Sequence, residues 1–271
     1  MQQITAIGFD LFDTLLTVQN LGLHEALERL VRGLHRQGIM VEAESFLPIY
    51  RETSRRFMEA ARREGRETHN RFWISTALRQ VGHEIAPDDD RITQVVESYF
   101  SAFRDHATLL PMTLEMLARL KERYRLGLLS NFTHAPAVHQ ILSHLGLDVF
   151  FDVPLVSGTL GYRKPHDHVF QELIKQFGVP RDQIAFVGDD VHADIHGAQQ
   201  AGLTPIQTTY ASVHKASLST DMPARLGDNP DPPMWKRIAP FVASSTQATS
   251  PQTAVLTVAS WDELFALFDL T

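Results

Sequence analysis

The chain contains no cysteine. That excludes disulfides, thiolate metal sites and cysteine nucleophiles, so any covalent intermediate must run through a carboxylate or a hydroxyl. It also lacks any run approaching the ~18 consecutive apolar residues of a membrane span, so no membrane association is expected. Positive charge is not in excess: 25 Lys and Arg stand against 32 Asp and Glu, a net charge of −7. Such a balance disfavours a broad basic surface for nucleic acid or anionic lipid. The opening MQQITAIGFDLFDTLL has neither a basic stretch nor a small-residue cleavage site, so no secretory signal is expected and the expected location is cytoplasmic. No internal repeat is visible. What is present is an ordinary globular composition, 44% hydrophobic and 21% charged over 271 residues, which suggests about two domains.

Short apolar runs punctuate the chain. ITAIGFDLF, with Ile4, Ile7 and Phe9, reads as a strand buried on both faces and ends at Asp10. Similar runs recur at Tyr124 to Leu129, Val153 to Val156, Ile184 to Val187, Thr204 to Thr208 and Ala254 to Val258. Amphipathic helical patterns lie between them, as in MTLEMLARLKERY and FQELIKQFG, the latter stopping at Gly178. DIHGAQQAG reads as another helix, ending at Gly202. Strand alternating with helix implies an α/β fold with a doubly wound parallel sheet. From about Val18 to His106 the alternation stops, and only helical spacing is found. The expected organisation is therefore an α/β core of residues 1–17 and 107–271 with a smaller all-helical domain, 18–106, inserted after the first strand. Within the core, residues 211–253 hold six of the fourteen prolines and read as a long irregular insertion, with a substrate lid as the alternative, that Trp235, Ile238 and Phe241 could anchor.

Ligands of open α/β sheets bind beyond the carboxyl ends of the strands, and four polar motifs fall at such ends. Phe9-Asp10-Leu11-Phe12-Asp13-Thr14 offers a carboxylate directly after a buried strand. Ser130-Asn131 offers a hydroxyl and an amide suited to phosphoryl oxygens, or equally to capping a helix. Arg163-Lys164-Pro165 places a cation in a loop before a helix, where it could neutralise a transferring group. Gly188-Asp189-Asp190-Val191-His192-Ala193-Asp194 gathers three carboxylates that would repel one another without a hard divalent cation, most simply Mg²⁺.

In this order the four motifs resemble those of the haloacid dehalogenase (HAD) superfamily of hydrolases, over the region from Ile4 to about Ile206. The resemblance implies a Rossmann-like core with a helical cap at residues 18–106. It also implies that Asp10 attacks the substrate and forms an aspartyl intermediate, that Thr14, Ser130, Asn131 and Lys164 hold the transferred group, and that Asp194 positions Lys164 or a metal-bound water. Mg²⁺ would be held by Asp10, the backbone carbonyl of Phe12 and Asp189; Asp13 and Asp190 are left without a firm role. In one respect the sequence departs from the phosphatases of the superfamily. They carry a general acid–base Asp two residues after the nucleophile, where this chain has Phe12, and an aromatic residue there resembles the dehalogenases. Against that, the dehalogenases lack the acidic metal-binding fourth motif and carry a Tyr six residues after the Lys, where this chain has Phe170. The expected activity is hydrolysis of a small phosphorylated metabolite with Mg²⁺; a 2-haloacid dehalogenase or a weakly active binding module are the alternatives. Asp13, His192 or a cap residue are candidates to replace the missing acid.

Two further patterns carry bland readings. His192 and His196, four apart, read as solvent-exposed. The arginines at 51, 55, 56, 62, 63 and 66, mixed with Glu52, Glu59, Glu64 and Glu67, read as a solvated, salt-bridged helix.

Overall fold

The computed structural model describes residues 4–18, 20–220 and 255–269. Strand β1 (Ala6–Phe9) is followed by a short strand β2 (Leu16–Val18), then by four helices: α1 (Asn20–Arg36), α2 (Ala43–Glu64), α3 (Asn70–Gln80) and α4 (Asp90–His106). Strand β3 (Ala107–Leu109) returns the chain, and α5 (Thr113–Lys121), β4 (Arg125–Ser130), α6 (Ala135–His144) and β5 (Val153–Val156) follow. After a single turn α7 (Ser157–Leu160) come α8 (Asp167–Phe177), β6 (Ile184–Gly188), a π-helical turn Val191–His196 that runs into α9 (Gly197–Gln200), and β7 (Thr204–Thr208). Helix α10 (Tyr210–Thr220), β8 (Leu256–Val258) and a final helix Trp261–Leu267 complete the described chain.

The six strands expected from their apolar runs form one parallel sheet in the order β5-β4-β1-β6-β7-β8. β1 is central, and the chain winds outward from it first to one side and then to the other. Burial explains the composition of these strands: all four residues of β1 and all five of β6 are buried, so both faces must be apolar. One face packs Ile7 and Phe9 against Met116, Val138, Ile141, Trp261 and Leu264. The other packs Ala6 and Phe186 against Phe170, Leu173 and Phe177 of α8. Gly8 allows this second approach, because a Cβ there would stand 2.8 Å from the Phe186 ring.

Helices α1–α4 enclose their own core, with Leu27, Leu30, Phe46, Tyr50, Ile74, Val95 and Phe100 among its members. Two features were not anticipated from apolar runs. β2 and β3 pair antiparallel, Leu16 with Leu109 and Val18 with Ala107, as a separate two-stranded ribbon. The DIHGAQQAG segment is π-helical before it becomes α-helical. Of the expected 211–253 insertion, the first ten residues belong to α10; its remainder, with Trp235, Ile238 and Phe241, lies outside the described residues. Among the described residues no helix is long and apolar enough to cross a membrane.

Candidate active site

In this strand order the winding direction reverses between β1 and β6, and the crevice beyond their carboxyl ends is where ligands of such sheets bind. Asp10 leaves β1 at this point, its backbone N–H donating to the Val187 carbonyl of β6 at 2.9 Å. Asp189 leaves β6 directly opposite. Asp194 returns from the π-helical turn, a local geometry frequent at functional sites. It comes so close that a Cβ on Gly188 would lie 2.4 Å from its carboxyl carbon.

Lys164 sits between two of these carboxylates. Its Nζ donates to Asp10 Oδ1 at 2.6 Å and lies 2.7 Å from Asp194 Oδ1, with 3% of the residue exposed. Burial alone would lower the lysine's pKa, but the charges of Asp10 and Asp194 outweigh it and hold the pKa above its usual value. For Asp194 the balance runs the other way. Burial, with the Asp10 charge adding to it, outweighs the attraction of Lys164 and pushes the carboxyl up to about 7. Two buried carboxylates share one ammonium, and the site as built is one cation short.

That shortage fits a divalent ion. Asp10, Asp189 and Asp194 each offer an oxygen, and the three oxygens lie within 4.8 Å of one another. Oxygen ligands ~2.1 Å from Mg²⁺ would span at most ~4.2 Å across an octahedron, so a small contraction suffices. A transferred group has a matching feature. Ser130 ends β4 beside β1, is fully buried, and its hydroxyl has no hydrogen-bond partner among the described residues, an unmet need that a bound oxyanion would satisfy. Thr14 Oγ1 donates to Asp10 Oδ2 at 3.3 Å.

Other residues singled out from the sequence are engaged differently. Asn131 spends both ends of its amide on the backbone of Lys164, accepting from its N–H at 2.7 Å and donating to its carbonyl at 3.0 Å. It orients the lysine loop. Asp190 caps the π-helical turn, accepting from the amides of His192 and Ala193 at 2.8 Å each. Asp13, held at φ 60°, accepts from the Lys215 ammonium at 2.6 Å. Phe12 stacks on Phe132 with ring centroids 4.9 Å apart, and Phe132 in turn meets Phe100 and Phe103 of α4. Position 12 therefore joins the Asp10 loop to the helical layer. His192 and His196 are exposed, as expected.

Several polar residues at this junction had no sequence signal, because their partners across it are 37 to 96 positions away. Glu67 Oε1 accepts from Arg163 Nη1 at 3.2 Å, and Ser157 Oγ donates to Glu67 Oε2 at 2.6 Å. Thr133 Oγ1 donates to Asn70 Oδ1 at 2.9 Å. His69 accepts from the Arg71 amide through Nδ1, so its Nε2 carries the hydrogen that points at His134 Nδ1, 3.3 Å away. His134 Nε2 then donates to Glu97. Burial above all, with the neighbouring His134 and Arg71, pushes His69 down to about 4. Among the arginines of α2, Arg55, Arg56 and Arg63 pair with glutamates on the helix surface as expected, whereas Arg62 is half-buried. Burial, reinforced by Arg163, lowers its guanidinium to about 10 against the pull of Asp190.

A sequence profile of haloacid dehalogenase-like hydrolases matches residues 4–202. A glyceraldehyde 3-phosphate phosphatase from Pyrococcus furiosus is 27% identical over 80% of this chain and 86% of its own. A ribulose-1,5-bisphosphate 5-phosphatase from Halopiger xanaduensis is 28% identical over 81% of this chain and 91% of its own. In fold, the chain is similar to a 2-haloacid dehalogenase from Pseudomonas syringae, with a TM-score of 0.60 and 21% identity over 98% of this chain and 99% of that one.

Proposed function

Because the chain belongs to the haloacid dehalogenase-like hydrolases, we propose that it is a Mg²⁺-dependent phosphatase of a small phosphorylated metabolite, with Asp10 as nucleophile and α1–α4 as a cap over the site. The observation that carries this reading is the set Asp10, Asp189 and Asp194 around a single buried lysine. Two relatives that cover most of the chain are phosphatases of small phosphorylated sugars.

The residues divide the work as follows. An Asp10 carboxylate oxygen bonds to phosphorus as the bond from phosphorus to the leaving oxygen breaks, and that oxygen takes up a proton. Water then cleaves the aspartyl phosphate, releasing phosphate and restoring Asp10. Lys164 and the Ser130 hydroxyl bind phosphoryl oxygens, while Thr14 orients the attacking carboxylate. Asn131 keeps Lys164 in place, and Asp194 supplies it with a second carboxylate partner. Asp10, Asp189 and the Phe12 carbonyl would hold Mg²⁺, which when bound neutralises charge on the phosphoryl group. Phe12 cannot move a proton, and Asp13 has its Oδ1 on the Lys215 ammonium. The leaving group is therefore one that departs with little acid assistance, or that takes its proton from the cap or from solvent.

Hydrolysis of p-nitrophenyl phosphate tests the reading. Turnover is expected with Mg²⁺, loss with EDTA, and loss in Asp10→Asn; turnover that survives Asp10→Asn would overturn it. Phe12 favours a second reading, dehalogenation of a 2-haloacid, which predicts halide release indifferent to EDTA.

A further inference from the structure

The loop that carries Lys164 is not held by the sheet alone. Segment 65–70, which joins α2 to α3, is stitched to two strand-end loops of the core. Arg163 N–H donates to the Gly65 carbonyl at 3.0 Å, and Glu67 N–H donates to the Gly161 carbonyl at 3.0 Å. Between these two backbone bonds the Glu67 carboxylate is driven inward, leaving 3% of its side chain exposed beside an Arg163 side chain 10% exposed. A charge so placed is costly unless both oxygens are satisfied, and here both are. Oε1 accepts from Arg163 and from the Thr68 amide at 2.9 Å. Oε2 accepts from Ser157 Oγ, which itself accepts from the Phe132 amide at 2.8 Å. The path from Glu67 thus reaches both site loops. Through Arg163 it meets the residue before Lys164. Through Ser157 it meets the loop of Ser130 and Asn131, whose amide clamps Lys164 from the other side.

We infer that Glu67 is a positioning residue for Lys164, so that the lysine reaches Asp10 and Asp194 in working register only while segment 65–70 is docked on the core. An apolar seam would close the same gap more cheaply. A buried ion pair instead fixes one register, and a catalytic cation with pairs at 2.6 and 2.7 Å needs one register. The inference rests on the phosphatase reading for the role of Lys164, but not for the geometry that it predicts.

Two measurements on Glu67→Gln, Arg163→Met and the double variant test it. The first is steady-state turnover of p-nitrophenyl phosphate with saturating Mg²⁺, below the thermal transition of each variant. Each single change is expected to lower kcat roughly 10–100-fold with KM moved less than about threefold. The double variant should lose no more than the worse single, because the two act through one contact. A purely structural role would lower the unfolding temperature and leave kcat of the folded enzyme unchanged, which would overturn the inference. The second is amide hydrogen exchange, which needs no activity. In Glu67→Gln the amides of Phe132, Arg163 and Lys164 are expected to exchange about tenfold faster or more, with Asp10 and α1 unaffected. If wild type hydrolyses no phosphate ester, the phosphatase reading fails and exchange alone decides. Release confined to the two loops upholds the positioning role, and unchanged exchange refutes it.

Discussion

Gly188→Ala adds one methyl group to a strand end, and its consequence can be worked from three distances. The new Cβ would stand 2.4 Å from both Cγ and Oδ2 of Asp194 and 2.5 Å from its Cβ. Ordinary carbon contacts begin near ~3.5 Å, so something must yield by ~1 Å. β6 cannot, since β1 and β7 hold it on both edges. Asp194 must, and it is 1% exposed with Lys164 Nζ at 2.7 Å and the Asp190 amide on its Oδ2 at 3.0 Å. Moving the carboxylate ~1 Å stretches both bonds past useful length. Overpacking of this kind costs ~1–3 kcal/mol, and weakening a buried pair adds to it, though by less than the ~3–5 kcal/mol of deleting a partner. A total of ~2–4 kcal/mol at ~2–4 °C per kcal/mol lowers Tm by ~4–16 °C for a chain of this size. A ~1 Å misplacement of a group at a reacting centre costs on the order of 10²-fold in kcat. Circular dichroism melting and p-nitrophenyl phosphate turnover measure the two effects. A variant with Tm within ~2 °C of wild type and kcat within about threefold would refute the packing argument, because the methyl would then have found room that the structure denies it.

Two further outcomes follow from the charge balance. Lys164→Met leaves Asp10 and Asp194 buried without their ammonium, at a cost of ~3–5 kcal/mol. Thermal melts should show it strongly destabilised in EDTA and raised by Mg²⁺ far more than wild type; equal Mg²⁺ shifts would contradict the shared-cation account. Asp194, pushed up to about 7 mainly by burial, holds a proton in the metal-free fold that the unfolded chain releases near pH ~4. Its contribution to stability therefore falls as pH rises from ~4 through ~7 in EDTA. A divalent ion on Asp10 and Asp189 would favour the charged form of the adjacent Asp194, so Mg²⁺ affinity should climb over the upper part of that range and level off above it, with a proton released on binding. Calorimetry in buffers of different ionisation enthalpy reads that proton directly. A flat affinity between pH 5.5 and 8 would be inconsistent with the burial of this group.

The sheet was legible because a strand buried on both faces has no choice of composition: Ile184 to Val187 can be marked off without knowing its neighbours. Asp10 and Asp189 were legible for a related reason, since a charge straight after such a run has to be where the sheet meets solvent. β2 and β3 were not, because three residues carry no period and their pairing joins positions 91 apart. The engagements of Asn131 and Asp190 were hidden by chemistry. An amide or a carboxylate at a strand end suits a ligand and a backbone equally well, and only distances separate the two. Glu67 was hidden by context: in the sequence it is one acid in a run of arginines and glutamates, and nothing local distinguishes the one whose partner is Arg163. Arg62 is the same case in reverse, a guanidinium in a solvated-looking row that folding half-buries.

The β2–β3 ribbon has a consequence of another kind. Val18 and Ala107 are paired residues of one antiparallel ladder, so the chain leaves the core and comes back at the same spot. Topologically, everything between them is the tip of a hairpin. A two-residue turn could join the same strands, and the parallel sheet would not register the change in its connectivity. The material at that tip can therefore be lengthened, shortened or exchanged without altering the strand order of the sheet. An ancestral sheet could keep its strand order while the segment above it was rewritten, and the two strands of the ribbon mark where such a splice would fall.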